Sequence, residues 1–318
     1  MKLQEIYELA IDMGIKADPR GEEFVKKALK KRKKKYEGLS DKDKKFFDQE
    51  SLTNPYSDSR LLYGDPELEV KKILVGIDAD ATEVLLVDRL NEKGQKIDVL
   101  VGHHPEGHAL AGIHEVMDLQ IDLYAAAGVP VNVAEALMSE RMIEVERRFR
   151  PLNHNQVLDT ARLLNIPFMA LHTIWDNLGD HFMRTYIKKK EFDTLGEILD
   201  YIKEIPEFIE ASKGKSAPQI VAGSASSRPG KIEIFFTGGT NPSKEMYVEW
   251  AKAGVGTIID MHPSEDTVKE MKKLHVNLID CGHIAADSIG ANLFLDEIEK
   301  RGVEAIPCSG LIRVKRGN

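Results

Sequence analysis

Three short apolar runs in this chain stop at a histidine, and that repetition limits the possible folds more than any other feature. Val99-Leu100-Val101 runs into Gly102-His103-His104-Pro105, the run over 167–171 into His172, and the run over 276–281 into Gly282-His283. Short, largely apolar runs of this kind read as buried strands of a parallel sheet. Open α/β sheets carry their sites at the carboxyl ends of such strands, so each histidine is delivered to a sheet edge. Gly102 frees the backbone to turn there, and Pro105 keeps the strand from running on.

Between these runs the pattern alternates. A strand over 73–77 precedes a helix over 82–91 that Asp or Thr caps and Gly94 ends. A helix over 113–127, a strand over 129–133 and helices over 134–149 and 156–164 follow. After a helical piece over 195–205, a Ser/Gly/Lys-rich stretch over 211–218 and a strand over 219–222, the alternation resumes with strands over 232–236 and 257–261. Their helices span 244–253 and 265–274, and a last helix runs from 283 to 300. The class is α/β, with repeated βα units. Gly223 to Lys231 is no phosphate loop: six residues separate Gly223 from Gly230, and Ile232 follows the lysine. It reads as a hairpin or a surface connection.

The first sixty residues differ. Leu3, Ile6, Ala10 and Met13 recur at helical spacing up to Asp18-Pro19-Arg20-Gly21, and a second helix holds the basic block from Lys26 to Lys35. Such a block can grip a phosphate backbone. Glu22, Glu23 and Glu37, a net charge of −8 and the lack of interleaved aromatics weigh toward a solvated face, so nucleic acid is not an expected partner. With 42% hydrophobic residues the chain can bury a large core. Two cysteines, no signal peptide and no bilayer-length apolar run imply a cytoplasmic protein without a membrane partner.

The histidines have carboxylates beside them. His172 and Asp176, like His283 and Asp287, are one helical turn apart, so each pair can point into one cleft. Asp176 as a helix cap is the competing reading. Together with His103 and His104 the set suits two divalent cations, because imidazoles bind end-on and a carboxylate can bridge ions about 3.5 to 4 Å apart. Mixed N/O donors point to Zn, Mn, Fe, Co or Ni rather than Ca or Mg, and two such ions against two aspartates favour an anionic, phosphate-like ligand. His108, His114 and His262 follow strands but read first as loop histidines, with His154, His181 and His275 weaker candidates. Cys281 reads as a small buried hydrophobe, and Asp78 and Asp80 as caps.

The stretch Gly-Asp-Pro-Glu-Leu-Glu-Val-Lys-Lys-Ile-Leu-Val-Gly-Ile-Asp-Ala at 64–79 adds to Gly102-His103-His104-Pro105, His172-Thr173-x-x-Asp176 and Gly282-His283-x-x-x-Asp287. In this order, across roughly 60–318, the chain resembles the Nif-three-like family, which includes the GTP cyclohydrolase I type 2-like proteins. The resemblance implies a two-lobed α/β fold with mixed sheets: a helical segment at 1–60, a first lobe at 61–187, a connection at 188–230 too short for an inserted domain, and a second lobe at 231–318. It also implies a toroidal homohexamer and a dinuclear site with His103, His104, Asp176, His283 and Asp287 as ligands and His172 as a nearby proton-transfer group. Asp287 departs from the family's usual Glu, the expected bridging ligand, and is one methylene shorter. The implied activity is metal-dependent hydrolysis of a nucleotide or phosphate-containing small molecule. A non-catalytic hexameric scaffold or regulatory protein is the alternative. A phosphoesterase with an Asp-His-His signature fits poorly, because Gly102 stands where the acid belongs.

Overall fold

Two mixed sheets carry the chain in the computed structural model, which describes residues 1–316. The strands are β1 (Ser59–Tyr63), β2 (Lys72–Gly76), β3 (Val99–Gly102), β4 (Phe168–Leu171), β5 (Gln219–Ala222), β6 (Lys231–Phe235), β7 (Val255–Asp260), β8 (Asn277–Asp280) and β9 (Glu304–Cys308). The first sheet has the order β1-β4-β3-β2-β9 and the second β5-β8-β7-β6. In each, parallel strands are flanked by one antiparallel edge strand, β1 on β4 and β5 on β8. β3 is buried along its whole length, as a strand covered on both faces must be.

Helices α1 (Leu3–Ala17), α2 (Glu22–Glu37) and α3 (Asp41–Lys44) precede the first sheet. α4 (Ala81–Glu92) follows β2, and α5 (Gly107–Ala111), α6 (Ile113–Val116), α7 (Asp118–Ala126), α8 (Val131–Phe149) and α9 (Gln156–Leu163) lie between β3 and β4. α10 (His172–Ile187) leaves β4 and is followed by α11 (Leu195–Ile202) and α12 (Pro206–Lys213). α13 (Lys244–Lys252) and α14 (Glu265–Leu274) serve the second sheet, and α15 (His283–Lys300) begins just beyond β8. Leu74, Val84, Leu100, Leu158 and Phe168 fill one side of the first sheet. Ile73, Val75, Val101, Met169 and Leu171 fill the other, with Ile6, Ala10, Trp175 and Phe294.

α10 and α15 set the position of the site. α10 grows from the end of the first sheet's β4 and α15 from the end of the second sheet's β8, so their amino-terminal turns meet between the sheets. They approach closely because Gly290 has no side chain: a Cβ there would run into the carbonyl oxygen of Trp175.

Several segments differ from the sequence expectation. There is no strand over 129–133: Pro130 stands at the N-cap of α8, where its fixed φ suits a helix start. The helix over 113–127 is divided at Met117 into α6 and α7. The piece over 195–205 stops at Ile202, and Pro206 opens α12, which runs on to Lys213 and so into the Ser/Gly/Lys-rich stretch over 211–218. The segment 223–230 is a connection and not a hairpin, since β5 and β6 occupy opposite edges of their sheet. β5, within 188–230, pairs with β8, and β9, within 231–318, returns to β2 of the first sheet. Among the described residues no helix is long and apolar enough to cross a membrane.

Candidate metal centre

Gly102 is required where β3 ends, because a Cβ there would stand 2.8 Å from that of Ala79. Beyond it the His103 amide donates to the Gly76 carbonyl at 3.0 Å and the His104 amide to the Ile77 carbonyl at 2.9 Å, which fixes the backbone under both rings. His103 is fully buried, with Nδ1 3.2 Å from the Leu171 carbonyl oxygen. A carbonyl only accepts, so Nδ1 carries a proton and Nε2 is the nitrogen that offers a lone pair whenever the ring is neutral; burial works against charge on the ring, but Asp287 and Asp176 raise its pKa in the metal-free site. That Nε2 lies 3.3 Å from Asp176 Oδ1 and 3.6 Å from Asp287 Oδ1. His104 is arranged alike: Nδ1 is 2.6 Å from Asp78 Oδ1, and Nε2 stands 3.5 Å from Asp287 Oδ2 and 3.3 Å from His283 Nε2. His283 Nε2 is 3.3 Å from the same Asp287 oxygen.

Asp287 thus has a different histidine set at each oxygen. His103 and Asp176 lie on the Oδ1 side, His104 and His283 on the Oδ2 side. Both of its oxygens, with Asp176 Oδ1 and His103 Nε2, are buried without a hydrogen-bond partner among the described residues. Such orphans cost about 1–3 kcal/mol each, more for charged groups, unless something else satisfies them. Converging neutral nitrogens and buried carboxylate oxygens are what a divalent transition-metal ion takes, so this donor set fits a metal.

The electrostatics follow from burial and proximity. Burial, opposed by Asp287 but reinforced by His262, His104 and His103, pushes His283 down to about 4, which leaves it neutral near pH 7. Burial works against charge on Asp287 too, yet His103, His104 and His283 hold its carboxyl well below the usual range.

His172 opens α10. Its Nδ1 donates to Asp58 Oδ2 at 2.7 Å, and the Thr173 hydroxyl donates to the same oxygen at 2.7 Å. Its ring lies 4.9 Å from that of His103 and 5.8 Å from that of His104, and its Nδ1 is 3.9 Å from Asp176 Oδ2. All six residues singled out from the sequence therefore converge. His262 stops short of them: its ring meets His283 edge-on at 4.9 Å, and it belongs to none of the ligand groups. His108, His114, His154, His181 and His275 are in none either. Cys281 is buried, and burial raises its thiol pKa.

Two functional carboxylates escaped the sequence reading. Asp80 does cap α4, accepting from the Thr82 amide at 2.6 Å, but Asp78 turns instead to His104. Its position just past β2, at the same sheet edge as the histidine pair, was the available signal. Asp58 had none, since it precedes β1, a strand that the sequence pattern did not show.

No protein-family model and no curated protein matches the chain. Solved structures do. A NIF3 superfamily protein from Sphaerobacter thermophilus is similar with a TM-score of 0.73 and 27% identity, over 80% of this chain and 92% of that one. Reduced HcgD from Methanocaldococcus jannaschii matches at a TM-score of 0.49 and 13% identity, over 78% of this chain and 87% of that one.

Proposed function

The chain belongs to the NIF3-like family, and from that premise we propose that it holds two divalent transition-metal ions and hydrolyses a nucleotide or another phosphate-containing small molecule. The observation that carries this reading is Asp287, a buried carboxylate with each oxygen facing a separate histidine set. His103, Asp176 and Oδ1 of Asp287 would hold one ion; His104, His283 and Oδ2 the other. The one-methylene deficit against Glu does not keep Asp287 from lying near both sets.

Such ions, when bound, polarise a phosphoryl or ring-carbon centre and lower the pKa of a shared water. The protein's own groups do the rest. Leu171 O and Asp78 fix the tautomers of His103 and His104. The two sets differ in access: the His103 and Asp176 side chains are sealed, while those of His104 and His283 are 27% and 37% exposed, so substrate enters on the Oδ2 side. His172, anchored through Nδ1 to Asp58, has Nε2 left to take and return a proton. The excess positive charge of a doubly loaded site favours a phosphate-bearing substrate, with GTP cyclohydrolase-like attack on a purine ring carbon as the form the family resemblance implies. The working assembly is a homohexamer.

Elemental analysis of protein purified without chelator, beside His104→Ala and Asp287→Ala, tests the ions. About two equivalents per chain, reduced in both variants, are expected. Wild type and His172→Gln are then assayed on GTP, other nucleotides and phosphoesters. Metal near zero after reconstitution with Zn, Mn, Fe, Co and Ni overturns the reading. Full loading with no turnover replaces the hydrolase with a metal-binding scaffold.

A further inference from the structure

The basic block of the N-terminal segment has no part in the metal centre. Between 22 and 47 the chain carries eleven Lys or Arg against five Asp or Glu, a local excess of six on a molecule of net charge −8. On α2, Lys27, Lys30, Lys31 and Lys34 recur at i, i+3, i+4 and i+7 and so share one face about 10 Å long. All four are exposed. Glu22 and Glu23 take Lys26, and among the described residues no carboxylate oxygen lies within 4.0 Å of the four ammonium groups.

The fold adds what the run itself lacks. Lys44, at the end of α3, places its ammonium 5.6 Å from the centre of the Tyr36 ring, and Tyr36 packs on Phe47 at 4.9 Å. This brings Phe46, 84% exposed, beside the carboxyl end of the basic helix. We propose that the lysine face of α2, with Phe46 at its end, is a docking surface for single-stranded nucleic acid, gripping phosphates through lysine and stacking a base on the phenyl ring.

Two other classes of partner fit less well. A lipid surface needs an apolar helix face to insert, but Val25, Ala28 and Leu29 are turned inward, lining with Leu119 and Val131 a cleft of about 250 Å³. A protein partner needs a central aromatic or arginine anchor, but Phe46 stands at one end of the lysine face and not at its centre, and the block's one arginine, Arg32, donates to the Ser51 carbonyl at 3.0 Å. What remains is a row of compact charges spaced for a polyphosphate chain, with a ring to stack on.

The test is fluorescence anisotropy with a labelled 20-nucleotide oligothymidylate and the full-length, metal-loaded protein. Binding is expected at 50 mM salt, with log K falling against log salt at a slope near −3, about 0.7 per phosphate for four contacts. Replacing Lys27, Lys30, Lys31 and Lys34 together by Gln should weaken it at least about tenfold, as each lost phosphate contact removes its counterion release. Phe46→Ala, which leaves every charge in place, should weaken it about fivefold or more. A control with Lys213, Lys252, Lys269 and Lys273 changed to Gln has the same net charge and should keep wild-type affinity. No binding by wild type at tens of micromolar, equal loss in the control, or capture by phosphatidylserine vesicles without oligonucleotide binding would overturn the proposal.

Discussion

His104 and His283 face one another through their Nε2 atoms, 3.3 Å apart, while Asp78 holds the far nitrogen of His104 at 2.6 Å. Asp78 thereby leaves the His104 Nε2 lone pair facing the His283 ring across the gap between the two sheets. A cation there would draw on both nitrogens at once.

Stability should therefore depend on metal. Adding the native ion to a hundred times its Kd should raise unfolding free energy by about 2.7 kcal/mol per independent site. Differential scanning fluorimetry reads this as a Tm several degrees higher than in chelator. A Tm indifferent to both metal and chelator would count against any bound ion.

Asp176→Asn and Asp287→Asn should differ in stoichiometry. Asp176 lies on the His103 side alone, so its variant should retain about one ion of two, whereas Asp287 faces both sets and its variant should fall below one. Elemental analysis decides, and equal losses in the two would remove the special place given to Asp287.

Asp78→Asn should lower metal affinity about 10- to 100-fold without unfolding the chain, since it loosens the ring of His104 rather than removing a donor. Competition with a chromophoric chelator measures it. Unchanged affinity would make Asp78 an ordinary surface carboxylate.

Gly290→Ala should cost about 3 kcal/mol or more and reduce metal content as well, because the added methyl displaces α15 from the Trp175 carbonyl and moves Asp287 with it. Urea unfolding followed at two probes gives the first number, elemental analysis the second. A variant with a wild-type midpoint would mean that the helices can slide apart freely.

The Asp58–His172 pair gives a pH signature in metal-free protein. Burial opposes charge on both partners; His172 and Thr173 nevertheless hold Asp58 below its usual value, and Asp176 and Asp58 raise His172. Asp58's contribution is present above the unfolded carboxylate pKa of about 3.9 and fades as pH falls through its lower folded value. That of His172 is complete below about 6.5 and is lost as pH rises through its higher folded value. Asp58→Asn should accordingly cost more at pH 5.5 than at pH 9, by denaturant unfolding. The reverse order would contradict the assigned pairing.

The strands β2, β3, β4, β6, β7 and β8 and the helices that follow them were legible because apolar runs, capping residues and glycines act locally. The same holds for His103, His104, His172 and His283, each placed by the end of its own run. β1 and β9 were not legible: Arg60, Glu304 and Pro307 interrupt any apolar pattern, and each strand exists because a distant neighbour, β4 or β2, offers it an edge. Asp58 was lost with β1 for the same reason. Asp78 shows a subtler limit, since two aspartates two residues apart are equivalent as caps in sequence, and only tertiary placement turned one toward His104.

The placement of β9 has a consequence for synthesis on the ribosome. β2 supports the backbone beneath both His103 and His104, yet one of its edges stays open until residues 304–308 have emerged, more than 200 positions later. α15, which brings His283 and Asp287, also arrives in that last portion. The amino-terminal half must wait with an unpaired strand, exposed to wrong partners, and closure of the first sheet and assembly of the metal ligands become one late, cooperative event.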